Sequence, residues 1–467
     1  MGEVNHPLAH GDTIAAIATA AGPGGIGIIR ISGPEAWRVG RRVFRPKYGR
    51  QYNPREILRK LVLGHAVDPV SGEHLDQVLA VFFQAPHSYT TENTVEIHSH
   101  AGPAVTARVL QAALAAGARL ARPGEFTYRA LMGGRLDLSA AEAVAQLIAA
   151  RSTSEARLAL AGLEGGLARQ LKPVRQALLG AAAAVEAAVD FPDEVDDILT
   201  VELAEALAGR VIAPLEHLVQ RATERRIWRQ GAVVALVGRP NVGKSTLFNA
   251  VLGQHRAITS QTPGTTRDAI EEAALIGSVV CRLVDTAGLA QAGDHLENLS
   301  QEMTRQALSR ADLVLLVLDG SAPLTAEDRQ LMAETSRLKR VVAVNKSDLP
   351  SASPPWEAGT LEAGVAVSAL TGSGMEELLA AVAEALTGGQ PEPAAGEAVA
   401  SARQGQALEC CLKAARRAAV GLRRQDPQPE LISLELAEAL AALGEVDGQG
   451  APEEVFEAVF SQFCLGK

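Results

Sequence analysis

The run Gly238-Arg239-Pro240-Asn241-Val242-Gly243-Lys244-Ser245 carries the clearest chemistry in this chain. Glycines at its first and sixth positions let backbone N–H groups turn inward around an anion. The Lys244 ammonium can neutralise β- and γ-phosphates, and the Ser245 hydroxyl is a hard oxygen ligand for Mg²⁺. With Asn241 and Val242 inside the loop and Thr246 just beyond it, a nucleoside triphosphate is the expected ligand. A second hard oxygen comes from Asp285, in Asp285-Thr286-Ala287-Gly288. That carboxylate is placed to hold the Mg²⁺ shell through a water, and the Gly288 N–H to sense the γ-phosphate. A ligand-free glycine turn is the competing explanation. It fits the context poorly, because a β run precedes the loop and a helix-compatible segment follows it.

The elements that must position these groups are legible. Val233–Val237, Val279–Val284, Leu313–Leu318 and Val341–Val344 are strand-like runs alternating with helical stretches, the signature of a parallel α/β sheet. Up to about Phe126, short β-like runs (Ile26–Ile31, Val78–Phe83, Thr94–Ile97) alternate with Gly/Pro turns, which reads as an α+β domain. Leu138–Gln230 and Ala400–Phe463 read as long apolar-periodic helices, broken near Phe191-Pro192 and expected to form one helical domain. The expected fold class is therefore multidomain α/β plus α, with an inserted P-loop domain built on a mainly parallel sheet. The expected divisions are 1–127, 128–230, 231–388 and 389–467, the Gly/Pro-rich Thr387–Glu397 marking the exit from the insert.

Composition bounds the rest. A chain of 467 residues is too long for one core, and 47% hydrophobic with 21% charged residues excludes wholesale disorder. A net charge of −10 gives no global attraction to nucleic acid, so RNA contact needs a local patch, such as Arg416-Arg417 with Arg423-Arg424, or a partner. Four cysteines fit neither a disulfide framework nor a zinc spacing, which points to reduced thiols and a cytoplasmic protein. His98 and His100 share a strand face without a third ligand and do not make a metal site. No basic leader or long apolar window is visible, so the whole chain is expected to be the mature, soluble protein with no membrane contact.

Several motifs resemble those of GTPases. Gly264-Thr265-Thr266-Arg267-Asp268 is similar to switch I and Asp285–Gly288 to switch II. Asn345-Lys346-Ser347-Asp348 is similar to the guanine-selecting N-K-x-D motif, and Ser368-Ala369-Leu370 to the last base-contacting loop. The resemblance implies Mg²⁺ held by Ser245 and Thr266, and Asp348 accepting from the ring N–H and amine of guanine. Leu289 follows Gly288, where Ras-like enzymes place a water-positioning Gln. Asn241, the switch I run and the missing Gln resemble the potassium-activated GTPases. That likeness implies K⁺ ligands at Asn241, Ser260, Thr262 and Thr265, nucleotide contacts from Gln261, Pro263 and Gly264, and Glu297 orienting the attacking water.

Runs outside the P-loop domain extend the likeness: Gly24–Gly33, Arg122–Phe126, Leu136–Leu138, Asp190–Glu194 and Phe463-Cys464-Leu465-Gly466-Lys467. Over essentially its whole length the chain resembles the MnmE (TrmE) family of tRNA modification GTPases. The resemblance implies an N-terminal folate-binding and dimerisation domain, with Arg30, Glu96, Arg135 and Lys467 lining the folate pocket and Cys464 a functional thiol. It also implies a homodimer that forms a heterotetramer with MnmG (GidA), an FAD- and NADH-dependent partner. The implied product is 5-carboxymethylaminomethyl- or 5-aminomethyluridine at the tRNA wobble position, the carbon drawn from 5-formyl- or 5,10-methylene-tetrahydrofolate. Ala290, Leu299-Ser300-Gln301 and His98–Gly102 depart from the family pattern. The rival reading is a GTPase assembly factor in ribosome maturation, which folate binding would separate from the first.

Overall fold

The computed structural model describes residues 11–47, 53–191, 199–255, 271–285, 308–350, 364–461, 463 and 466. The chain divides into two compact units: 1–145 with 162–216 and 406–467, and 146–161 with 217–405. Among the described residues no helix is long and apolar enough to cross a membrane.

The first unit holds a seven-stranded sheet of β1 (Ile14–Ile17), β2 (Gly27–Ser32), β3 (Phe44–Pro46), β4 (Val62–Val67), β5 (His74–Phe83), β6 (Thr94–Ser99) and β7 (Arg119–Leu120), in the order β3-β4-β5-β6-β2-β1-β7. Only the β1–β7 pair is parallel. Alternation along the strands decides the faces. Ile29, Ile31, Val95 and Ile97 are buried in one core with Val39 of α1 (Ala36–Val43) and Val109 of α2 (Pro103–Ala115), while Arg30 pairs with Glu96 across β2 and β6 on the other face.

A partly buried ionic network fastens α3 (Glu125–Met132) to Asp12, just before β1. Arg129, only 8% exposed, donates to Asp12 Oδ1 at 2.8 Å, Glu125 Oε1 at 3.0 Å and both oxygens of Glu92 at 3.1 Å. Arg119 donates to Asp12 and Glu125, each at 2.7 Å. Burial by itself would raise the Glu125 carboxyl; the hydrogen bonds from Arg119, the Arg122 N–H and Arg129 hold it below the usual range.

Helix Gly166–Asp190 is joined to helix Pro429–Asp447 by Arg175, which reaches Asp447 at 2.9 Å. Helix Ala402–Leu422 separates its adjacent cysteines. Cys411 is fully buried, and burial pushes its thiol up to about 12, whereas Cys410 is exposed. Neighbours on a helix project in different directions, so of this pair Cys411 alone packs into the core. Arg416 pairs with Glu216 and Arg417 with Glu435 and Glu438, which leaves little uncompensated positive charge at those two residues.

The second unit is a six-stranded sheet in the order β13-β12-β11-β8-β10-β9. Its strands are β8 (Ala232–Val237), β9 (Glu271–Ile276), β10 (Val279–Asp285), β11 (Leu313–Asp319), β12 (Arg340–Asn345) and β13 (Val365–Ala366). All pairs are parallel except the β9–β10 hairpin. Every position of β11 is buried, as a strand covered on both faces requires. The sheet is accordingly sandwiched between two apolar clusters, one containing Val234, Leu236 and Leu315 and the other Ala235, Val237 and Leu316.

Candidate functional sites

β8 runs directly into the P-loop, and helix Lys244–His255 leaves it. The turn needs two left-handed residues, Asn241 at φ +67° and Gly243 at φ +94°. Asn tolerates this region because its short polar side chain can bond locally. Gly243 is required twice over, since a Cβ there would also overlap the side-chain nitrogen of Asn345. Lys244 Nζ donates to the carbonyls of Gly238 at 2.5 Å and Arg239 at 2.8 Å, so the ammonium is held inside the loop. Burial pulls it below the usual lysine range, and the nearby Asp285 and Glu327 carboxylates partly offset that. Ser245 Oγ donates to Asp285 Oδ2 at 3.0 Å, bringing together the hydroxyl and carboxylate that a Mg²⁺ site of this type needs.

At the end of β12, Asn345 ties three loops together. Its Nδ2 donates to the Val242 carbonyl at 2.9 Å, and its Oδ1 accepts from the Ala369 N–H at 3.0 Å. Asp348 Oδ1 accepts from Ser368 Oγ at 2.6 Å, and the Ser347 N–H donates to the Val367 carbonyl at 3.0 Å. Asn345 through Asp348 and Ser368-Ala369 therefore form one structure with the P-loop residue Val242. Leu370 projects into solvent, 81% exposed. Ser260, Gln261, Thr262, Pro263, Gly264, Thr265, Thr266, Thr286, Ala287, Gly288 and Glu297 lie outside the described residues.

Three residues to which sequence reasoning assigned no role complete this site. Asp319, ending β11, accepts from Lys346 Nζ at 2.6 Å and from Ser321 Oγ at 2.6 Å, and lies 3.7 Å from Arg239. Arg239 in turn donates to the buried Asp328, which Thr325 caps. Lys346, left-handed at φ +69°, is thereby linked to the P-loop through a carboxylate. A signal existed: Asp319 ends an otherwise wholly apolar strand, and a charge at that place requires a partner. Asp319→Asn is expected to weaken GDP binding about five- to tenfold by loosening Lys346. Titration with a fluorescent GDP checks this, and unchanged affinity would show the pairing to be idle.

On the polar face of the N-terminal sheet, Arg30 Nε donates to Glu96 Oε1 at 2.9 Å, and its guanidinium lies 5.2 Å from the Tyr89 ring centre and 5.6 Å from that of Phe126. Arg135 stacks on the same tyrosine at 5.4 Å and donates to the Ser88 carbonyl. Arg30, Glu96 and Arg135 are thus brought together around Tyr89, which sequence reasoning did not single out. Gly466 lies against Ile17 and Ala18, where any side chain would overlap the Ile17 carbonyl. Cys464 and Lys467 fall outside the described residues. Burial would raise the Glu96 carboxyl, but His98 and Arg30 more than compensate and keep it below the usual range. Its ionised form, beside cationic and aromatic groups, suits a heterocycle that donates N–H groups and carries carboxylates.

A P-loop and an N-K-x-D motif at the ends of parallel strands in one sheet define the P-loop GTPase class. Residues 13–135 match the family model described as the GTP-binding protein TrmE N-terminus, and residues 138–464 match that of the MnmE helical domain. The tRNA modification GTPase MnmE of Moorella thermoacetica is 43% identical over 463 residues, 98% of this chain and 99% of that protein. That of Geobacillus thermodenitrificans is 42% identical over 463 residues, with 98% and 99% covered. Among solved structures, the G domain of the T. maritima FeoB iron transporter is 28% identical, spanning 33% of this chain and 98% of its own at a TM-score of 0.27. The chain belongs to the MnmE family of tRNA modification GTPases.

Proposed function

We propose that this chain hydrolyses GTP and couples the hydrolysis to modification of the tRNA wobble uridine, forming 5-carboxymethylaminomethyl- or 5-aminomethyluridine. The carrying observation is the joining of the phosphate loop and the base-recognition loop through Asn345, in a chain of this family. In this reading Lys244 and the P-loop N–H groups hold the β- and γ-phosphates, and Ser245, Thr266 and Asp285 would hold Mg²⁺, directly or through water. Asp348 accepts from the guanine edge, with Ser368 fixing its carboxylate. Asn241, Ser260, Thr262 and Thr265 would hold K⁺, whose charge offsets what develops between the β- and γ-phosphates, while Glu297 orients the attacking water.

The same reading makes Arg30, Glu96, Arg135 and Lys467 the folate pocket supplying the one-carbon unit, with Cys464 beside the chain end. The working assembly is a cytoplasmic homodimer joined to the FAD- and NADH-dependent MnmG (GidA). Base selection tests the nucleotide half directly. Wild-type protein should prefer GDP over ADP by at least about a hundredfold, and Asp348→Asn should lose guanine affinity and gain xanthine affinity, because an amide donates where guanine also donates. Equal binding of GDP and ADP, measured by competition against a fluorescent nucleotide, would contradict the assignment.

A further inference from the structure

The register of β2 against β6 sets Arg30 opposite Glu96 and Ile28 opposite His98, so Arg30, Glu96 and His98 share one face of the sheet. One oxygen of Glu96 is taken by Arg30 Nε. The other lies 3.6 Å from His98 Nε2, too far for a hydrogen bond. Two donors beside this carboxylate, Arg30 Nη1 and His98 Nε2, are buried and find no hydrogen-bond partner among the described residues. A carboxylate at that distance favours the Nε2–H form of the imidazole over a bare lone pair. The side chains are only 14–21% exposed, so the unmet donors are costly to leave unsatisfied.

The pattern is an acceptor flanked by donors. Its complement is a planar edge with two adjacent N–H donors for Glu96 and an acceptor beside them for a flanking donor. The 2-amino-4-oxo edge of a pteridine has that sequence: exocyclic amine, ring N–H, carbonyl oxygen. A 4-amino-4-deoxy pteridine replaces the carbonyl with a donor and loses the ring N–H, so it meets donor with donor. We propose that His98 is a specificity-determining residue of this site, acting with Arg30 to select 4-oxo over 4-amino pteridines. The inference rests on the folate reading above and adds a residue and a selection rule to it.

The test is equilibrium binding of 5-formyltetrahydrofolate and of its 4-amino-4-deoxy counterpart to the full chain, read by calorimetry. Wild-type protein is expected to favour the 4-oxo ligand about tenfold or more. His98→Leu should weaken that ligand about tenfold and bring the two affinities to within roughly threefold of each other, while His98→Gln, which keeps a donor, should retain the preference. Unchanged binding of a fluorescent GDP and an unchanged circular dichroism spectrum establish that each variant is folded. Equal wild-type affinities for the two pteridines, or a preference that survives in His98→Leu, would overturn the role of His98 alone. Wild-type protein that binds GDP but neither pteridine would instead overturn the folate reading, and this inference with it.

Discussion

Lys244→Ala should lower GTP turnover by about a thousandfold or more, the loss of roughly 4 kcal/mol of transition-state stabilisation. The ammonium is held inside the loop by the Gly238 and Arg239 carbonyls, and burial already depresses its pKa. A cation so placed is poorly hydrated before any phosphate arrives, and its interaction with the developing charge is correspondingly strong. Lys244→Arg should rescue little, since a planar guanidinium cannot occupy a position bounded by two carbonyls as an ammonium does. Steady-state phosphate release at saturating GTP measures the effect. A fall smaller than about tenfold would mean that the loop does not hold the reacting phosphates.

The second large effect is on folding. Arg129→Met should remove about 3–5 kcal/mol of local stability from the N-terminal sheet, because it strips donors from the fully buried Glu125 and from Asp12 and Glu92 together. Hydrogen exchange of the β1 and α3 amides reads this without requiring that the whole chain unfold in one step. The network also carries a pH signature. Glu125 and Asp12 both have carboxyls held below the usual range. Their contribution is therefore present above the unfolded values of about 4, and is lost as pH falls through the lower folded values. Amide protection in β1 should decline as the medium becomes acid, and that dependence should shrink in Arg129→Met. Protection insensitive both to pH and to the substitution would show the network to contribute nothing.

Much of the second unit could be read from the chain, for reasons specific to its strands. Runs such as Leu313–Leu318 are apolar at every position, and a strand buried on both faces leaves no other pattern. β9 (Glu271–Ile276) was not foreseen. It opens with two glutamates, lies at the sheet edge, and is held there by the hairpin to β10 rather than by its own periodicity. The P-loop was legible because its glycine and lysine spacing follows from phosphate geometry. Asp319 and Arg239 were not, because their pairing with Lys346 and Asp328 joins residues remote in sequence. The polar face of the N-terminal sheet was partly legible. Arg30 and Glu96 came from resemblance alone, whereas the packing of Arg30 and Arg135 on Tyr89 depends on how the Ser88–Tyr89 segment lies against β2 and the chain around Arg135.

GTP turnover by the purified chain in K⁺ against Na⁺ buffer, at matched ionic strength, tests the account most directly. Cation-assisted hydrolysis predicts turnover about tenfold or more faster in K⁺, and a K⁺ advantage lost in Asn241→Ala. Equal rates in the two salts would contradict the roles given to Asn241 and to Ser260, Thr262 and Thr265.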